Sequence, residues 1–282
     1  MNKTWAISKL LTLAVIGCMN PQEATAAPIH DAAKQGDITV LKRLISKGSN
    51  VNLKDKYGWT PLHFAALKNQ GEVAIFLLQY GALINVKEKT IGGTPLHLAS
   101  QIGAQIVSKV LVDRGADVNA KSKNGGTPLL FAAKECHSYL VGMLLASDAN
   151  VNAKAIDGTT ALLIASQFGC DDVVEALLAK GANMAFQNSS GATALYIASQ
   201  KGYSNIVKLL LDKGADPDIV KKGGLTPMHV AAYKGYKLVI ELLITKGANV
   251  NALDKAGSTP LNYAVTKKNS EIVELLRMNG AK

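Results

Sequence analysis

Thr60-Pro61-Leu62-His63-Phe64-Ala65-Ala66 decides the fold, because versions of it return along the chain at almost constant spacing. The threonine stands at Thr60, Thr94, Thr127, Thr160, Thr193, Thr226 and Thr259, one interval of 34 residues followed by five of 33. A fixed period of roughly 20–50 residues marks an array of small stacked units. No such unit buries its apolar face alone, so neighbours supply the stability. Function is then expected on a long surface and not in a pocket.

Working outward from the quoted stretch, Lys56-Tyr57-Gly58-Trp59 reads as a turn, with Gly58 free to take a positive φ. Thr60 can cap a helix that Pro61 opens without needing an amide donor. Leu62, Ala65 and Ala66 form an apolar stripe at helical spacing. Asn69-Gln70-Gly71 is expected to break that helix, and Val73, Ala74, Phe76, Leu77 and Leu78 make a second apolar face. Gly81 stands where a left-handed C-cap is expected, and glycine returns there as Gly48, Gly115, Gly181, Gly214, Gly247 and Gly280. Asparagine recurs in the extended return at Asn52, Asn85, Asn119, Asn152 and Asn251.

The pattern resembles the ankyrin repeat, whose signature is Thr-Pro-Leu-His-x-Ala followed later by Gly-Ala-Asp-Val-Asn. Thr94-Pro95-Leu96-His97-Leu98-Ala99 and Gly115-Ala116-Asp117-Val118-Asn119 match it closely, as do Thr226-Pro227-Met228-His229 and Gly247-Ala248-Asn249-Val250-Asn251. The resemblance implies an all-α repeat solenoid of stacked helix-loop-helix units joined by β-turn fingers. The array would fill 27–282: a capping unit at 28–54, units at 55–87, 88–121, 122–154, 155–187, 188–220 and 221–253, and a final cap at 254–282. The last unit carries Glu271, Glu274 and Arg277 on its second helix, the wet outer side that a terminal unit needs.

Departures gather in the middle. Asp148 replaces the capping glycine, Ala161 and Ala194 replace proline, and Leu130, Leu163 and Tyr196 replace histidine. A non-glycine residue in the left-handed cap costs about 1 kcal/mol, so 127–200 is expected to be the least stable stretch.

The first 26 residues read as a secretory signal: basic Lys3 and Lys9, a ten-residue apolar run from Leu10 to Met19, then Ala24-Thr25-Ala26 before Ala27. The run is too short to cross a bilayer, which takes about 20 residues. Val15-Ile16-Gly17-Cys18 also resembles a bacterial lipobox, with a leader of 1–17 and Cys18 as lipidation site. Either cut sends the chain to the periplasm or the medium, or leaves it lipid-anchored. In a eukaryotic secretory route, Asn188-Ser189-Ser190 would be a glycosylation acceptor.

Net charge is +10 over the whole sequence. Of 31 cationic residues only Arg43, Arg114 and Arg277 are arginine, and the lysines are spread through every unit. Base readers rely on arginine's planar fork, so an acidic protein or an anionic membrane surface is favoured over nucleic acid as partner. Cys136 and Cys170 fall in adjacent inter-helix loops. Neighbouring helices lie about 8–10 Å apart whereas a disulfide needs its Cα atoms within about 7 Å, so two thiols are expected, with a bridge in an oxidising compartment as the minor alternative.

Chemistry is not legible. His30, His63, His97 and His229 share one slot, which repetition explains better than metal ligation, and the resemblance implies that they tie the turn to the helix start. His137 beside Cys136 has no third group at a useful spacing. No phosphate-cradling glycine loop and no zinc spacing occurs, so neither catalysis nor a cofactor is expected. The resemblance implies instead that a partner meets the turn tips and first helices. Carried over, those positions are Lys56, Tyr57, Trp59, Leu67 and Lys68, with Ile91, Ile102, Lys123, Lys134, Ile156, Phe168, Lys201, Leu225, Tyr233, Lys234 and Lys267 in later units. Tyr57 and Trp59 offer aromatic area on a turn, or Trp59 packs on the preceding return loop; Lys68, Lys201, Lys234 and Lys267 repeat in register as a positive stripe. The expected function is an exported binding scaffold; alternatives are a secreted effector acting on a host protein and a regulatory subunit of an enzyme.

Overall fold

The computed structural model describes residues 27–282, and the leader, the lipobox and Cys18 lie outside them. Among the described residues there are sixteen helices and no strand. The first helices of the units are α1 (Pro28–Gln35), α3 (Pro61–Leu67), α5 (Pro95–Ile102), α7 (Pro128–Lys134), α9 (Ala161–Phe168), α11 (Ala194–Lys201), α13 (Pro227–Lys234) and α15 (Pro260–Thr266). The second helices are α2 (Ile38–Ser46), α4 (Gly71–Gln79), α6 (Gln105–Asp113), α8 (Ser138–Ala146), α10 (Asp171–Ala179), α12 (Ser204–Asp212), α14 (Lys237–Thr245) and α16 (Ser270–Met278). Each helix packs on its hairpin partner and on the equivalent helix of the next unit, so two helical layers run side by side along the array.

Local chemistry sets these limits. Every repeated threonine is an extended N-cap, with proline or alanine opening the helix after it. Helix α3 stops because Asn69 takes a left-handed φ of 53°, and Gly71 begins the second helix instead of breaking the first. The capping glycines after the second helices all have positive φ, and Asp148 is held at 63° in the same slot. Core leucines such as Leu62, Leu96, Leu129, Leu162 and Leu195 are buried along the array, each worth roughly 1.5–3 kcal/mol of apolar transfer. Ala65, Ala99, Ala132, Ala165, Ala198, Ala231 and Ala264 have no exposed area, and their small side chains let the layers approach closely.

Two hydrogen-bond ladders fix the stacking. On the return side, Asn52 donates to Gly81 O at 3.0 Å and accepts from Leu83 N at 2.8 Å. Asn119, Asn152 and Asn251 make the same pair of bonds to the following unit. Ala185 occupies this slot in unit 155–187 and has no side chain to make the rung. On the finger side, Lys89 N donates to Tyr57 O, Lys123 N to Ile91 O, Ile156 N to Asn124 O and Ser189 N to Asp157 O, all within 3.0 Å. The turn tips therefore form one row.

The pairing of Cys136 with Cys170 corrects the expectation of two thiols: they form a disulfide with Cα atoms 5.2 Å apart. Helix spacing was the wrong ruler. The left-handed loop residue of one unit faces the following residue of the next loop, an offset of 34. The same offset sets Gly103 against His137, Gly169 against Tyr203 and Gly202 against Tyr236, where an added Cβ would come within 2.8 to 3.0 Å of the ring. Contact between these loops is closer than contact between helix axes.

Candidate binding surface

The finger row and the first helices together make a continuous face, and the histidines fix its base. Thr60 N donates to His63 Nδ1 at 3.1 Å, and His63 Nε2 reaches Gly93 O of the next turn at 3.4 Å. His97 repeats this between Thr94 N and Gly126 O, and His229 between Thr226 N and Ser258 O. An accepting Nδ1 leaves the proton on Nε2, which then donates to the carbonyl, so the ring works as a neutral tie. Burial pushes His63 and His97 down to about 4 and lowers His229 as well. Where Leu130 replaces histidine, Thr127 Oγ1 is buried without a partner.

Turn chemistry positions the tips. Asp55 Oδ1 accepts from Tyr57 N and Trp59 N, and Asp254 does the same for Ala256 N and Ser258 N. The turn with one extra residue uses a longer acid: Glu88 accepts from Thr90, Ile91 and Gly93 amides. One added methylene thus spans one added residue, and Glu88 is buried rather than offered to a partner.

Several expected contact residues are exposed: Lys56, Tyr57, Lys68, Lys123, Ile156, Phe168, Lys201, Tyr233, Lys234 and Lys267. Others are not. Trp59 is only 7% exposed and packs on Phe64 and His63, with ring centroids 5.3 and 5.8 Å away. It immediately precedes the helix cap, where the chain is extended and points inward. Leu67 is likewise buried on the inner layer. Ile102, Ile91 and Leu225 are half-buried, and Lys134 is largely covered, with Nζ 3.1 Å from Glu135. Lysines are exposed at the two ends of the repeated slot, while Ile102, Glu135 and Phe168 take it in the middle. Its lysines also sit at first-helix C-termini, where cations meet the helix dipole favourably. Lys267 Nζ lies 4.2 Å from the Tyr233 ring centroid, and its hydrogen bond lowers the Tyr233 phenol pKa.

Among the described residues no cluster of three or more His, Cys, Asp or Glu side chains could hold a metal, and no helix is long and apolar enough to cross a membrane. His137 is turned to Gln101 O at 3.1 Å and Cys136 is in its disulfide, so the two do not form a nucleophile and base.

Family models for ankyrin repeats match residues 29–78, 83–155, 140–221 and 213–282. The chain belongs to the ankyrin-repeat family. It is 37% identical over 98 residues to the human "Ankyrin repeat and SOCS box protein 3", covering 34% of this chain and 19% of that protein. It is 38% identical over 121 residues to the "Zygote-specific protein 3" of Chlamydomonas reinhardtii, covering 41% of this chain and 31% of that protein. A stretch of 101 residues is 40% identical to the human "Transient receptor potential cation channel subfamily A member 1", 34% of this chain and 9% of the channel. The chain thus spans a third or less of the length of each of these relatives. All three are eukaryotic and lend no support to a bacterial-type origin. Ankyrin repeats mark a protein–protein interaction scaffold.

Proposed function

We propose that this ankyrin-repeat chain is an exported, non-enzymatic scaffold that holds an acidic protein partner against its turn tips and first helices. The observation that carries the reading is a row of tips tied by backbone hydrogen bonds, with exposed Tyr57 and Ile156 on it and exposed Phe168 and Tyr233 on the adjoining first helices, among lysines. Preformed rows of this kind lose little entropy on binding, and aromatic anchors dominate interface energies. The exposed lysines around them add attraction for an acidic surface.

Export rests on the leader-like first 26 residues, and the Cys136–Cys170 disulfide supports it, because such bonds persist in oxidising compartments. Intact mass tests the route: a mature chain beginning at Ala27 is expected, whereas a diacylglyceryl group on Cys18 would assign a lipid anchor. A photo-crosslinking side chain placed at Phe168 or Tyr57 in the producing cells tests the binding reading. A discrete protein adduct is expected. Adducts no more frequent there than from a position on the second helices would overturn it.

A further inference from the structure

On the same face, the third to fifth units line an open groove of about 300 Å³. Its apolar walls include Leu130, Phe131, Ile156, Ile164 and Phe168. Ile156 is 79% exposed and Phe168 41%, so apolar area continues from the groove onto its rim. Composition opens it. In unit 55–87 the residue before the repeated threonine is Trp59, which fills this corner against Phe64. The equivalent residues here are Gly126 and Thr159. Gly126 is not among the glycines of positive φ, so it is absence of a side chain, not backbone freedom, that the slot uses. Most of the exposed wall is apolar, so an apolar group that displaces water from it gains affinity.

Lysines outnumber acids around the groove, with Lys134 on its wall and Lys123 and Lys154 next to lining residues, against Asp157 and Glu135. Its acids are engaged internally: Asp157 accepts from Thr159 N and Glu135 pairs with Lys134. Among the described residues Lys89, Lys123 and Lys154 meet no carboxylate; Lys123 rests on the carbonyls of Lys89 and Thr90, and Lys154 on the Phe186 ring at 3.5 Å. We propose that this groove takes one large apolar side chain from an extended, acidic segment of the partner protein. The inference rests on the protein-binding reading and narrows it to one anchor. Units repeat at about 8–10 Å, close to three residues of extended chain at about 3.3 Å each. An acid three residues from the anchor would therefore stand over the lysines of a neighbouring unit.

Selection of a random dodecapeptide phage library on the oxidised chain, followed by anisotropy with the enriched peptides, tests this. Peptides pairing one Phe, Trp or Leu with Asp or Glu about three residues away are expected. Their affinity should fall at least about tenfold in Ile156→Asp, a tip residue whose change leaves the melting curve unaltered, and about as much in Thr159→Trp, which supplies the plug that Trp59 provides elsewhere. Affinity should also fall with added salt. Enrichment of basic peptides, or of none, would overturn the proposal, as would binding unchanged in both variants. Binding that survives both yet is lost in Tyr233→Ala removes this groove while leaving a protein-binding array intact.

Discussion

Units 55–121 and units 122–220 hold the same turn, helix, loop and helix by different chemistry. In the first pair, His63 and His97 each join their own helix start to the next turn, and asparagine rungs continue at Asn52 and Asn119. In the second group Leu130, Leu163 and Tyr196 replace the imidazole, Asp148 sits in a left-handed cap, and the rung at Ala185 is missing. A disulfide joins two of these units. The difference teaches that a repeat array need not be uniform in its ties: the boundary between 155–187 and 188–220 has neither imidazole, asparagine rung nor sulfur, and is joined by Ser189 N to Asp157 O and by Asn205 to Asp171. It also separates two sensitivities, since imidazole ties respond to acid and the sulfur tie to reductant.

Breaking the sulfur tie should have the largest effect. The bridge closes a separation of 34 residues, and removing it with Cys136→Ser plus Cys170→Ser is expected to cost about 3–4 kcal/mol in denaturant unfolding. Hydrogen exchange should then show 127–200 opening first; if 55–121 opens first in the reduced chain, the contrast between the regions is wrong.

His97→Leu copies the middle units onto the flank. Leaving the Thr94 amide unpaired should cost roughly 1–2 kcal/mol at neutral pH. The pH profile is the sharper readout. The folded values of His63 and His97 lie near 4, below the ordinary 6.5, so between these values the unfolded chain holds the extra protons. Stability is complete above about 6.5 and falls as pH drops through that window towards 4. The variant should show a shallower decline of melting temperature over the same range; an unchanged slope would mean that His97 is not one of the responsible groups.

Two gains are smaller. Asp148→Gly relieves a positive φ of 63° and should add about 1 kcal/mol, while the bond from Asn119 to the backbone carbonyl at 148 is retained. Ala185→Asn should restore the absent rung to the next unit and add about 0.5–1 kcal/mol. A Tm that does not rise in this last variant would show that the ladder is dispensable at that boundary.

Most of the architecture was legible because its signals are local. A threonine before proline, a glycine after the second helix and a histidine three residues past the cap each act within a few residues, and each appears where expected. The surface was read less well. Tyr57 and Trp59 are two residues apart on one turn, yet one is exposed and the other buried, since the chain changes direction between them. Tyr57 projects with the tip, while Trp59 already belongs to the approach to the helix. The groove escaped notice because its signal is an absence, glycine and threonine where tryptophan stands two and three units earlier.

Order and spacing along the chain determined the unit, its helix limits, its capping and the number of stacked copies, because those depend on bonds between near neighbours in sequence. Which side chains stay exposed, which cysteines meet and where the groove opens were decided only when one unit was laid on the next. Contacts of that kind join residues some 34 positions apart, and a shift of one residue in register would change every one of them.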